Sequence, residues 1–142
     1  MADHGKARIY EVIDFYKNFP QYTYNSQSEL FYHLYPSFSY GQYRIYRDKN
    51  DIIGFCNWCF LDDLSQARFI KYAHLSPDQW KSGDNFWIHD VVASKNTVRI
   101  LKDIKRLSLI TIGNRKKVNY LRIKNNGIFA RRSVLTKNHW GN

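Results

Sequence analysis

No stretch of this chain approaches the ~20 consecutive apolar residues that a membrane helix needs, and its start, MADHGKARIY, is too polar for a secretory signal. The expectation is a protein kept in the cytosol of the cell that makes it, or carried in a virion if a phage encodes it. Cysteine is nearly absent: the two residues present, Cys56 and Cys59 in GFCNWCF, form one C-x-x-C. A zinc site would need a second such pair or a nearby pair of histidines, and the sequence has neither. Residues 52–60 read as a strand, in which positions three apart face opposite sides. Both thiols are expected to be buried and structural in a reducing compartment, with no metal bound. Repeats and low-complexity linkers are missing, and 142 residues are too few for two ordinary domains. One domain over residues 1–142 is expected.

Acidic side chains are scarce in one part of the chain. Residues 95–142 hold 13 lysines and arginines against Asp103 alone, a net +12, whereas residues 1–94 hold 9 basic and 11 acidic side chains, a net −2 within the formal +10. This basic C-terminal segment points to an acidic partner, whether nucleic acid, an anionic surface or an acidic protein; the other reading is a solvated face kept for solubility.

What is present supports alternating elements. Residues 6–18 put Ile9, Val12, Ile13 and Tyr16 on one helical face, and 26–35 open with a Ser26-x-x-Glu29 capping box before Leu30, Phe31 and Leu34. QYRIYRD and DIIGFCNWCF, joined across Lys49 and Asn50, read as a hairpin, followed by a polar helix near 62–74. Ser94 can cap a helix with Val98, Leu101 and Ile104 as its buried stripe. Beyond it, LSLITI (107–112) reads as a short strand, RKKVNYLRIKN (115–125) as a basic helix, and GIFARRSVL (127–135) as a closing strand that begins at Gly127.

In WKSGDNFWIHDVVASKN (80–96) an acid interrupts an apolar strand. Strict alternation sets Asp90 on one face with Phe86, Ile88 and Val92, and His89 on the other with Trp87 and Val91. A buried carboxylate costs several kcal/mol unless it is paired or hydrogen-bonded. Asp90 is therefore either a working acid or the partner of a loop or an arginine.

The order of elements resembles a GNAT-type N-acyltransferase. FPQY, LYPSFSYGQY, RDKNDIIGFCNW and WKSGDNFWIHDVVA further resemble the toxin-activating lysine acyltransferases of the RTX haemolysin type, over about residues 19–93. The last motif is the most specific, with Trp80, Ser82, Gly83, Asp84, Trp87 and Asp90 all on the pattern. The resemblance implies an α/β fold of a single GNAT-like domain, with a central mixed, twisted sheet flanked by helices. It also implies transfer of a fatty acyl group from acyl carrier protein to a lysine amine of a target protein, and it admits a homodimer.

The family's catalytic aspartate corresponds to Asp90. Its histidine falls on Tyr22, and the serine before the proline falls on Phe19. A phenol is a poor base at neutral pH but can donate a proton to a leaving thiolate. A family asparagine falls on His33, which either takes over the imidazole role or is an ordinary helical histidine. His89 is the weaker alternative, and His4, His74 and His139 read as surface residues.

The Gly-rich coenzyme A turn of GNAT domains is absent here, where the sequence reads VVASKNTV. This suits a carrier-protein donor: no tightly bound cofactor is expected, and the donor is the acyl-phosphopantetheine of acyl carrier protein in preference to coenzyme A. Ser94, Lys95, Asn96 and Thr97 at a helix N-terminus either bind its phosphate or simply cap the helix. Lys102, Lys105, Arg106, Arg115, Lys116 and Lys117 form the candidate docking surface for the acidic carrier. The competing reading is a catalytically inactive GNAT-fold structural or binding module, such as a phage-particle component or a nucleic-acid-associated protein, that uses its basic half. No nucleic-acid motif is recognisable.

Overall fold

The computed structural model describes the backbone of residues 2–112, 117–123 and 130–136, and the side chains of residues 8–111 and 118–120. Helices α1 (Ala2–Tyr16) and α2 (Gln27–Tyr40) lead into a hairpin of β1 (Tyr43–Asp48) and β2 (Asp51–Leu61). Then come α3 (Asp63–Tyr72), β3 (Asn85–Ala93), α4 (Thr97–Ile112), β4 (Lys117–Ile123) and β5 (Ala130–Thr136), with short 3-10 turns at Pro20–Tyr22 and Pro77–Gln79. The five strands lie side by side in chain order. Every neighbouring pair is antiparallel except β3 with β4, which run parallel. A parallel step needs a crossover, and α4 supplies it. The result is the expected GNAT-like α/β fold, a mixed sheet flanked by helices. Among the described residues no helix is long and apolar enough to cross a membrane.

Local chemistry fixes the helix ends. The Ser26 hydroxyl accepts from the Glu29 N–H at 3.1 Å, and the Ser26 N–H donates to the Glu29 carboxylate at 2.9 Å, so both halves of the capping box form. Gly41 closes α2 at φ 66°, a left-handed turn that glycine enters without strain.

Alternation along β2 from Phe55 onward, with Ile53 an extra residue unpaired on β1, divides the core between the two faces of the sheet. On one face, Phe55 packs with α1 and α2 through Ile13, Tyr16, Leu30 and Leu34, and Cys59 and Leu61 pack with Phe69 of α3, Trp80 and Trp87. On the other, Ile53 and Cys56 meet Ile100 and Ile104 of α4. Cys56 and Cys59 thus lie in different clusters, both buried and free. Burial pushes the Cys56 thiol up to about 12, which keeps it neutral and inert.

The C-terminal half departs from the sequence reading. LSLITI is the last part of α4, not a strand, because Ser108 and Thr111 turn their hydroxyls back to the carbonyls four residues earlier at 2.7 Å and satisfy themselves within the helix. The buried stripe of α4 is Ile100, Ile104 and Ser108, while Val98 and Leu101 are exposed. Ser94 does not cap it; its hydroxyl donates to the Ile53 carbonyl at 3.3 Å. The expected basic helix at 115–125 contains β4, whose Val118 and Tyr120 share the apolar face toward α4 at a period of two. Gly127 lies outside the described residues, and the closing strand is described from Ala130.

The decisive irregularity is in β3. Asn57 pairs with Asp90 and Trp58 with Ile88, so His89 is an extra residue with no partner on β2. Strict alternation fails at that point. Phe86 and Ile88 face α4, but Asp90 and Val92 are turned to the side of α1 and α2. His89 is also on that side, against Trp80 and Phe69. The expectation that His89 and Asp90 face apart is corrected by this bulge.

Candidate active site

Three elements and one tight turn deliver the site. Residues 80–83 run beside the end of β2, with Phe60 N–H donating to the Trp80 carbonyl at 2.9 Å and Ser82 N–H to the Phe60 carbonyl at 2.7 Å. A Cβ on Gly83 would lie 2.5 Å from the Asp62 N and Cα, so only glycine permits that approach. The Ser82 hydroxyl accepts from the Asp62 N–H at 3.0 Å and donates to the Gln79 carbonyl at 2.8 Å. This turn aims β3 into the space between α2 and α3.

The Asp90 backbone N–H at the bulge is held by Asn57 Oδ1 at 2.9 Å, and Asn57 is tied through Ser37 to the Leu34 carbonyl of α2. The carboxylate gathers three neighbours. Tyr16 of α1 donates its hydroxyl to Oδ2 at 2.7 Å, and His33 Nε2 of α2 lies 2.6 Å from the same oxygen. His89 Nδ1 lies 3.3 Å from Oδ1, within ionic reach but out of line for a hydrogen bond. An ionised carboxylate only accepts, so His33 Nε2 carries the shared hydrogen and the other ring nitrogen, Nδ1, is left to take up a proton.

Charge follows from this geometry. Burial alone would raise the Asp90 carboxyl, but attraction to His33 and His89, with the hydrogen bond from His33, outweighs it and holds the group well below the usual carboxylate range. The Asp90 charge in turn raises the His33 imidazole, against the opposing effect of its burial. Burial, then the same charge, raises both Tyr16 and Tyr22, so neither phenol ionises near neutral pH.

A cavity of about 400 Å³ opens onto this cluster, lined by Tyr22, Tyr32, His33, Phe69, Trp80, His89 and Asp90 among others. The structure brings together all three residues proposed from the sequence as catalytic. Asp90 and His33 are in direct contact, and the Tyr22 ring centroid lies 5.9 Å from that of His33 and 4.8 Å from that of Tyr16. His74 is exposed as expected, yet it too lines the cavity.

The other proposed residues lie elsewhere. Asn96 and Thr97 line a separate shallow groove at the start of α4 with Val98, Arg99 and Lys102. Ser94 and Lys95 are exposed beside it. Lys102 and Arg106 are exposed on α4, where Arg106 pairs with Asp103 at 3.3 Å, and Lys105 is half-buried. Arg115 and Lys116 lie outside the described residues, as does the side chain of Lys117 at the start of β4.

Sequence reasoning missed Tyr16, which reads as one more apolar position on the α1 stripe, and Asn57, which carries no motif of its own.

The family model of the RTX toxin acyltransferases matches residues 8–133, nearly the whole chain. The chain belongs to the RTX toxin acyltransferase family. Among its relatives is a leukotoxin-activating lysine-acyltransferase of a Pasteurella haemolytica-like species, 34% identical over 76 residues, 53% of this chain and 45% of that protein. The RTX-II toxin-activating lysine-acyltransferase of Actinobacillus pleuropneumoniae is 34% identical over 77 residues, 54% of this chain and 48% of the relative. The lysine-acyltransferase RtxC of Vibrio cholerae is 27% identical over 82 residues, 56% and 54% of the two chains. The chain spans about half the length of the curated relatives it matches. Within this acyltransferase family, the cluster around Asp90 is the candidate active site.

Proposed function

We propose that this chain is a protein lysine N-acyltransferase in which His33, oriented by Asp90, is the general base. The observation that carries the reading is the 2.6 Å contact of His33 Nε2 with the buried Asp90 carboxylate at the wall of an open cavity. Attack of a lysine nitrogen on a thioester carbonyl forms the C–N bond and leaves a proton on the nitrogen. The imidazole takes that proton at Nδ1 while Asp90 stabilises the cation, the C–S bond breaks, and the thiolate departs to be protonated by solvent or by the Tyr22 hydroxyl. Tyr22 stands where the family's histidine is expected and His33 reaches the same carboxylate from α2, so the two positions can exchange the imidazole without moving the acid.

The donor in this reading is the acyl-phosphopantetheine of an acyl carrier protein. Its phosphate suits the groove at Asn96 and Thr97, near the N-terminus of α4. Exposed Lys102 and Arg106 of α4, with the basic residues after it in the sequence, suit an acidic carrier.

The test is mass analysis of a lysine-bearing protein incubated with acyl-carrier-protein or coenzyme A thioesters of several chain lengths, with circular dichroism to confirm folding. His33→Ala and Asp90→Asn should each lower transfer by roughly 10²–10⁴-fold, the usual contribution of a positioned base. Transfer that survives both substitutions would refute the mechanism, and a wild type inactive with every thioester would favour the binding-module reading.

A further inference from the structure

The bulge leaves an uncommon donor set at the cavity. One ring nitrogen each from His33 and His89 and one oxygen of Asp90 all lie within 4.8 Å of one another. His89 Nδ1 is buried, stands 3.3 Å from Asp90 Oδ1, and makes no hydrogen bond. A ring nitrogen excluded from water, near a carboxylate oxygen but out of line for a hydrogen bond to it, is a buried polar atom whose bonding capacity is not fully used. Its ring is fixed between Trp80, at a centroid distance of 4.5 Å, and Phe69, stacked at 5.6 Å, so it cannot swing out to solvent without breaking that packing.

We propose that His33, His89 and Asp90 form a binding site for a divalent transition metal of the zinc and cobalt class. Two imidazoles and a carboxylate suit borderline ions, whereas magnesium and calcium require oxygen donors. Donor atoms on a tetrahedral zinc, each at ~2.0–2.1 Å, are about 3.4 Å apart. His89 Nδ1 stands 3.3 Å from Asp90 Oδ1 and His33 Nε2 2.6 Å from Asp90 Oδ2, so the carboxylate presents one oxygen to each imidazole, and the three donors, all within 4.8 Å of one another, need only small shifts to share an ion. The supporting shell is present: Asn57 holds the Asp90 backbone and the Tyr16 hydroxyl donates to the carboxylate. The cavity leaves the fourth position open to water or a ligand.

Metal binding itself does not depend on the acyl-transfer reading, but its consequence does. Coordination through His33 Nε2 moves the remaining ring hydrogen to Nδ1, and the imidazole then has no lone pair for an amine. A bound ion and the proposed base step exclude each other, so zinc would act as an inhibitor of the same site.

The experiment titrates metal-free full-length protein with Zn²⁺ by calorimetry and with Co²⁺ by visible absorption, with Mg²⁺ as a control. One Co²⁺ per chain should give the intense bands of four-coordination, Zn²⁺ should displace it, and Mg²⁺ should do neither. His33→Ala and His89→Gln should each weaken Zn²⁺ binding by more than the roughly 10–100-fold that loss of an outer-shell partner costs. His33 is half-exposed, so its variant keeps the test valid even if His89→Gln fails to fold. Absence of a 1:1 complex overturns the proposal, as does binding that survives His33→Ala or is lost only with His74→Ala. These readouts need no activity, so failure of the metal site and failure of the acyltransferase mechanism are separable.

Discussion

Replacing Tyr16 by phenylalanine removes one oxygen from the site and nothing else. The ring is fully buried and packs 4.8 Å from Tyr22 and 5.7 Å edge-on from Phe55, contacts that phenylalanine keeps. What is lost is the 2.7 Å hydrogen bond to Asp90. A hydrogen bond to a charged group contributes ~1.5–3 kcal/mol, and here the acceptor is buried, so its deletion should cost that amount. For a chain of 142 residues, at about 3–4 °C per kcal/mol, the melting temperature should fall by roughly 5–12 °C. The assay is urea unfolding followed by tryptophan fluorescence, where the midpoint should fall at constant slope. A double-mutant cycle with Asp90→Asn gives the sharper answer. Against a neutral amide the hydroxyl is worth only ~0.5–1.5 kcal/mol, so a coupling of about 1–2 kcal/mol should appear. Coupling within the ~0.3–0.5 kcal/mol of simple additivity would mean that Tyr16 does not act on the Asp90 charge, and the account of how that carboxylate is held would be wrong.

Two further outcomes test the scaffold. Gly83→Ala should destabilise the fold by about 2 kcal/mol or more, because the added methyl meets the Asp62 backbone rather than a movable side chain; a loss under ~0.5 kcal/mol in denaturant would show that the two segments do not approach so closely. Asp62 caps α3, and hydrogen bonding from the Ser65 N–H lowers its carboxyl. Its stabilising effect should therefore be full above the unfolded value of ~3.9 and be lost as pH falls through the folded one. Asp62→Asn keeps the cap, so it should match the wild type near pH 7 and lose less melting temperature between pH 5 and pH 3; parallel melting curves would refute the assignment.

Much of the N-terminal two-thirds was legible because its signals are local. Ser26 and Glu29 announce a capping box by spacing alone, and Lys49 and Asn50 sit between two β runs. The C-terminal half was misread where local pattern and tertiary context disagree. LSLITI has β-like composition, but its hydroxyls bond back within the helix, and VNYLRI reads as basic and helical until its alternation is set against α4. At the site, the acid was legible from its placement in an apolar strand, and His33 from family alignment. Its third neighbour was not, because Tyr16 is separated from Asp90 by 74 residues and meets it only through the packing of α1. The facing of Asp90 was inverted for a different reason. A bulge is set by pairing with the neighbouring strand, and alternation read along one strand cannot contain it.

The bulge makes β3 a strand of two phases. Residues up to Ile88 follow one parity and those from Asp90 on follow the other, with His89 as the joint. Deleting His89 would make Asp90 the direct successor of Ile88 and leave both pairings with β2 in place, so the carboxylate would stay opposite Asn57 and beneath α2. What the extra residue adds is therefore not the facing of the acid but a second imidazole next to it in the chain, on the same side of the sheet and fixed between Trp80 and Phe69. The strand gains a side chain at the site without losing register on either side of it.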